Sequence, residues 1–267
     1  MPVTTFEDRI RQGDLAAALA ELQAAVRARP SEAKLRVALF QLLSVLGQWD
    51  RALNQLRVAG DLDASTLLMV QTYETALRSE KLRAEVFAGR RQPLVLGEPE
   101  EWIARLLQAL RLGAEGQAGA AAALRESALG DAPARAGQLD GTAFDWIADA
   151  DERMGPCLEL IVNGGYWWVP FERIAELKAE APSDLRDLVW MPVQLTWING
   201  GQAVGLVPAR YAGTEQQSDD ALRLARRTEW REEAGAVYGI GQRMLATDTD
   251  VHPLLGLRAM QLAAVEA

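Results

Sequence analysis

Six positions recur in this chain at a spacing of 34 residues, and that period constrains the fold more than any other feature. Gly13, Leu15, Ala18, Leu19, Leu22 and Ala25 return as Gly47, Trp49, Ala52, Leu53, Leu56 and Ala59. A repeat of this length is the signature of a tetratricopeptide-type pair of helices. The residue types fit: glycine ends the first helix of a unit, a small Ala lets the paired helices approach, and the leucines fill the groove between them. Pro30 then stops the second helix, because proline cannot continue a helix interior. Gly116, Ala121, Ala128 and Pro133 repeat the same Gly, Ala, Ala and Pro positions. A third, degenerate unit is expected there, set off by a small insertion, since Gly116 follows Gly47 by 69 residues. Such units build a grooved surface for a partner's peptide or helix.

Between the units the pattern stays helical. Leu15, Leu19, Leu22 and Val26 form one apolar stripe and Leu35, Leu39, Leu42, Leu43 and Leu46 another, with Ser31 the expected N-cap of the second. A further helix is expected over 66–88 with Leu67, Val70, Tyr73 and Leu77 inward. Residues 90–97 read as a loop. Pro99, Glu100 and Glu101 suit the first turn of the next helix. The small-residue run 134–141 marks a boundary, which divides the chain into an all-α tetratricopeptide-like domain, 1–137, and a β-rich α+β domain, 138–267.

In the second domain 142–154 still reads as helix, stopped by Gly155 and Pro156. After it, 158–162 and 166–169 flank Asn163-Gly164, a tight hairpin turn that needs positive φ. Val193, Leu195 and Trp197 alternate with polar residues before Asn199-Gly200, and 203–207 returns: a second hairpin with the same turn chemistry. Residues 228–231 and 238–245 are expected strands. A small half-open barrel is the expected topology. Trp167 and Trp168 cannot both point inward, because strand neighbours alternate faces. One of them is expected to cap the domain interface or a partner site.

Composition removes several function classes. With 37 acids against 28 Lys and Arg, the formal charge is −9, which argues against a nucleic-acid binder. Two basic clusters, one of Arg78, Lys81, Arg83, Arg90 and Arg91 and one of Arg223, Arg226, Arg227 and Arg231, are interleaved with glutamates and read as ion-paired, solvated faces. One cysteine, Cys157, and one histidine, His252, leave no ligand set for a structural metal, no disulfide, and no cofactor motif. Gly239-Ile240-Gly241 is only half of a dinucleotide fingerprint. Neither a leader sequence nor an apolar span of membrane length is seen, so a cytoplasmic protein with no membrane partner is expected. The acids Asp145, Asp149, Asp151 and Glu152 miss the calcium-loop pattern. They read as an exposed helix face.

Longer strings carry a family likeness. Residues 35–49 (Leu-Arg-Val-Ala-Leu-Phe-Gln-Leu-Leu-Ser-Val-Leu-Gly-Gln-Trp) with Asp50-Arg51-Ala52-Leu53 resemble the ImpE family, also called SciE or TagJ. So do Arg83-Ala84-Glu85-Val86-Phe87-Ala88-Gly89, Phe144-Asp145-Trp146-Ile147-Ala148-Asp149-Ala150-Asp151, Asn163-Gly164-Gly165-Tyr166-Trp167-Trp168-Val169-Pro170-Phe171-Glu172-Arg173 and Asp184-Leu185-Arg186-Asp187-Leu188-Val189-Trp190-Met191-Pro192. The resemblance runs from about Gly13 to Arg258. It implies a non-enzymatic, cytoplasmic accessory protein of bacterial type VI secretion that binds a helix of the sheath subunit TssB and assists sheath turnover with the ATPase ClpV. It supplies no site residues. Tetratricopeptide geometry places Lys34, Val37, Gln41 and Ser44 on the concave face, and Trp167 or Trp168 offers a second docking point. Two other classes stay open: an enzyme using the acids of 145–152 with Arg186 or Arg173, and a general tetratricopeptide co-chaperone, for which Lys34 alone supplies concave positive charge.

Overall fold

A computed structural model of the chain describes residues 5–98 and 100–263. Its first half contains helices α1 (Phe6–Gln12), α2 (Leu15–Ala28), α3 (Ala33–Val45), α4 (Trp49–Leu62), α5 (Leu67–Phe87), α6 (Glu101–Ala114) and α7 (Ala118–Asp131). The repeat sets their pairing. Gly13, Gly47 and Gly116 stand between α1 and α2, α3 and α4, and α6 and α7, each with positive φ (+81°, +67°, +79°). That is the left-handed exit glycine adopts without strain. Within each unit the two helices pack together, α2–α3 contacts join the first two units, and α4 packs on α5. The repeated alanines Ala18, Ala52 and Ala121 are fully buried, as close helix approach requires.

Local expectations needed adjustment at two helix starts. Glu32, not Ser31, precedes α3, and it makes no side-chain cap. Leu67, expected inward, opens α5 half exposed, whereas Tyr73 and Leu77 are buried. Helix α6 begins at Glu101; the expected start at Pro99 lies outside the described residues.

The second half is built on strands β1 (Leu94–Val95), β2 (Gly137–Leu139), β3 (Thr142–Phe144), β4 (Ile147–Asp149), β5 (Cys157–Val162), β6 (Gly165–Pro170), β7 (Ile174–Ala179), β8 (Trp190–Trp197) and β9 (Gln202–Pro208). A one-turn helix α8 (Asp220–Arg223) precedes β10 (Thr228–Glu233), β11 (Ala236–Gly241), β12 (Met244–Thr247), β13 (Val251–Pro253) and β14 (Ala259–Leu262). Nine strands form one sheet in the order β1-β6-β5-β9-β8-β7-β14-β2-β3. Two small sheets, β10-β11 and β13-β12-β4, accompany it. The end strands β1 and β3 do not pair with each other, so the sheet is not closed.

The expected helix over 142–154 is the largest correction. Asp140 and Gly141 both have positive φ (+48° and +87°), the two-residue Asp-Gly turn that favours a hairpin. The chain therefore runs through β3 and β4 into a turn. Alanines and acids gave the segment a helical composition, but burial of Phe144 and Ile147 against the sheet decided its state. The first predicted hairpin has Asn163 and Gly164 at +49° and +78°. In the second hairpin only Gly200 is left-handed. The Gly200 N–H donates to Trp197 O and the Trp197 N–H to Gly201 O, a type I turn closed by a glycine bulge rather than the same two-residue turn. The expected strand 238–245 is broken after Gly241 and belongs to two sheets.

The nine-stranded sheet packs on both faces, although part of β8 and β9 on the helix side stays exposed. On one, Ile161, Tyr166, Trp168, Trp190 and Leu206 share a core with helical residues such as Leu22, Phe40, Leu56 and Trp102. On the other, Leu160, Val169, Leu195, Val207 and Met260 pack with Leu245 and Ile147 of the small sheet. The molecule is layered: helices, large sheet, small sheet. Period-two alternation along β6 sends Tyr166 and Trp168 to the first core and Trp167 and Val169 to the second.

Candidate partner-binding surface

Helices α3 and α5 are where the two halves meet, and the sides of α3 have different fates. Residues 182–188 fold over one side. Asp187 accepts hydrogen bonds from the Ser183 and Asp184 N–H groups (both 2.9 Å) and closes a turn. The Gln41 amide donates to Asp184 (3.2 Å) across the seam. Arg186 pairs with Asp184 (2.6 Å) and lies 4.9 Å from the centre of the Tyr73 ring. Burial pushes the Tyr73 hydroxyl up to about 12.

Between this strap and the helices lies an open groove of about 590 Å³. Phe6 and Ile10 of α1, Lys34, Val37 and Gln41 of α3, and Leu185 and Leu188 of the strap line it. Three of the four concave positions inferred from repeat geometry are therefore in one place. Ser44 is not among them: it is fully buried, and its hydroxyl donates to Phe40 O (2.8 Å). The tryptophan pair divides as strand alternation requires. Trp168 is fully buried and faces Phe87 of α5 (5.9 Å between centroids), so it seals the domain interface. Trp167 is half buried against the other core, with its indole N–H on Val162 O (3.2 Å).

Underneath, an ionic network ties the halves together. Arg83 of α5 donates twice to Glu159 of β5 (2.6 and 2.9 Å) and once to Arg210 O (2.6 Å). Arg243 bridges Glu159 and Asp149. Tyr166 donates to Glu159 and Trp168 to the Tyr166 hydroxyl (2.8 Å), while Trp190 donates to Glu80 (2.8 Å). Arg210 donates to Val45 O (2.9 Å) and Ser44 O (3.4 Å) at the end of α3, where a cation suits the helix dipole. Burial alone would push Glu159 up, but Arg83 and Arg243 outweigh it and hold the carboxyl down at about 2. Burial raises Glu80 despite Arg83.

Arg83 and Glu80 thus leave the basic, solvated cluster to which sequence assigned them. Arg78, Lys81 and Arg90 keep their surface pairs with Glu74, Asp50 and Glu85. No local signal marks Glu159 or Arg243. Each reads as one charge in an apolar strand, and only an unpaired charge in such a strand hints at a buried partner.

The acids of 145–152 are also not an exposed helix face. Asp149 and Asp151 are buried, and Asp151 pairs with Arg153 (2.6 Å). Arg173 pairs instead with Glu172 (3.2 Å) and Glu100 (3.4 Å). Cys157 is buried in β5, which pushes its thiol up, and His252 sits 3.4 Å from the Thr247 hydroxyl in the small sheet.

A helical-repeat layer packed on a sheet, with a groove at the seam, defines a tetratricopeptide-like architecture. Residues 9–68 match the tetratricopeptide repeat and residues 141–261 match the ImpE protein family. The chain is 55% identical over 261 residues to the type VI secretion system accessory component TagJ of Pseudomonas aeruginosa, covering 98% of this chain and 92% of that one. It belongs to the ImpE family, in which that TagJ component stands. A crystal structure of a Vibrio parahaemolyticus protein has the same fold (TM-score 0.87, 24% identity, 97% of both chains). Among the described residues no helix is long and apolar enough to cross a membrane.

Proposed function

We propose that this protein is a non-enzymatic accessory component of type VI secretion that holds a helix of the sheath subunit TssB in the groove between α1, α3 and the strap 182–188, and so assists sheath turnover by ClpV. The observation that carries this reading is the groove itself. Its floor of Phe6, Ile10, Val37, Leu185 and Leu188 is an apolar strip, the complement of an amphipathic helix with anchors at i, i+3 and i+4. Lys34 sits at its rim. The family relationship to a TagJ component supports the secretion context. The buried carboxylates that an enzyme would need are neutralised by Arg83, Arg153 and Arg243, and the groove contains none of them.

Fluorescence anisotropy with labelled peptides tiling TssB tests the reading. One helical segment should bind the full-length protein and lose at least tenfold in affinity against Val37→Asp. Absence of binding by every segment at high micromolar concentration, or binding indifferent to Val37→Asp, would remove the groove from consideration.

A further inference from the structure

The strap 182–188 has a second side. There a separate cleft of about 830 Å³ opens between α5 and the large sheet. Leu68 of α5 and Val204 of β9 both line it and are each 76% exposed, more than any other large apolar side chain among the described residues. Exposed apolar side chains scattered singly need no explanation; these two share one concavity.

Charge and hydrogen-bonding capacity narrow the occupant. Residues 1–137 carry 17 Lys and Arg and 17 Asp and Glu, whereas residues 138–267 carry 11 and 20, so the entire −9 resides in the sheet half. In the cleft, the carboxylates Glu180, Asp184 and Asp187 face the cations Lys178 and Arg186. Lys178 is already paired with Glu176 (2.9 Å) and Arg186 with Asp184. Glu180 has no ionic partner among the described residues, and the wall is left net negative. Three further side chains in the lining, Gln71, Asn163 and Gln194, present carboxamides that make no hydrogen bond to another described residue. A carboxamide is donor and acceptor at once, which matches the alternating N–H and C=O groups of an extended backbone.

We infer that this cleft binds an extended peptide segment of a partner protein in which apolar side chains alternate with lysine or arginine. The apolar residues contact Leu68 and Val204, a cation meets Glu180, and the carboxamides hold the backbone. The cleft shares Ser183 and Asp184 of the strap with the helix groove, but Leu68, Glu180 and Val204 line the cleft alone and Val37 lines the groove alone, so substitutions at these positions separate the two sites.

The probe is a fluorescein-labelled 12-residue peptide alternating Val and Lys, titrated by anisotropy against the full chain at about 0.15 M salt, with a Val/Glu peptide in parallel. The Val/Lys peptide should bind at least tenfold more tightly. Glu180→Lys should weaken it about threefold to tenfold, and Leu68→Ser with Val204→Ser at least tenfold, both with an unchanged circular dichroism spectrum and melting temperature, because these side chains are at the surface. Val37→Asp should leave it within twofold. Equal binding of the two peptides, or binding unaffected by the Leu68/Val204 pair, overturns the proposal. So does sedimentation showing a dimer that Leu68→Ser with Val204→Ser dissociates, since the occupant would then be a second copy of this chain.

Discussion

The seam between the halves and the groove beside it use the same helix in opposite ways. At the α3 C-terminus, Ser44 and Val45 are buried and their carbonyls are held by Arg210; nearer its N-terminus, Lys34 and Val37 line an open groove. The buried end is fixed by charges that have no alternative partner once water is excluded. The open end has apolar surface left over. An ionic network excluded from water specifies one arrangement of two layers, and a groove held by such a frame is pre-formed for a ligand, which lowers the ordering cost of binding.

The sharpest way to break this contrast is to remove the centre of the network. Glu159→Gln removes the carboxylate that Arg83 and Arg243 share and leaves them only Glu80 and Asp149, and a loss of about 3–5 kcal/mol of unfolding free energy is expected from urea titration. A loss below about 1 kcal/mol would show that the seam is held by apolar packing alone. The pH profile sharpens the test. Glu159 has its folded-state titration lowered to about 2 from the ordinary 4.5. Its contribution is therefore fully present above about pH 4.5 and is lost as pH falls toward 2. Glu159→Gln should flatten that part of the acid-unfolding curve.

A smaller effect distinguishes the repeat turns. Gly47→Ala and Gly116→Ala both force a side chain into the left-handed region, at about 1–2 kcal/mol each. At Gly47 the new Cβ would also lie 2.5 Å from the Glu215 side chain, whereas at Gly116 nothing is within 4 Å. Thermal melts should rank Gly47→Ala as the more damaging. Equal losses would mean that Glu215 moves aside without cost.

Smallest in stability are changes in the groove. Val37→Asp should lower TssB-peptide affinity by about 1.4 kcal/mol or more, a factor of ten, while changing unfolding free energy by no more than about 0.5 kcal/mol, as expected for a position outside the sealed core. Lys34→Ala should weaken the same peptide less than threefold, since a rim charge contributes little in water. A large stability loss from either would mean that the groove belongs to the folding core.

The helical half was legible because each of its signals is local. Gly13, Gly47 and Gly116 report a backbone conformation that neighbouring residues cannot change, and Leu15, Ala18 and Leu22 report a single buried stripe. The hairpin at Asn163-Gly164 was legible for the same reason. Misreadings occurred where a local composition met a distant surface. The 142–154 segment is rich in helix-tolerant residues, yet Phe144 and Ile147 belong to a sheet whose other strands lie many residues away. Of the candidate site, Lys34, Val37 and Gln41 could be placed from repeat geometry; the strap that walls their groove could not, because its Asp184 lies 143 residues from Gln41 in the chain and meets it only through the tertiary fold.

By itself, then, the sequence determined the paired helices, the strand-rich second half and the family, since periodicity, turn residues and long shared strings are properties of the chain alone. Tertiary structure decided which charges are buried and which surface remains open. Arg83 and Arg78 are five residues apart on one helix, and only contact with Glu159 separates a buried ion pair from a solvated one. That contact exists because the two layers dock, and docking depends on shape and desolvation across the whole interface.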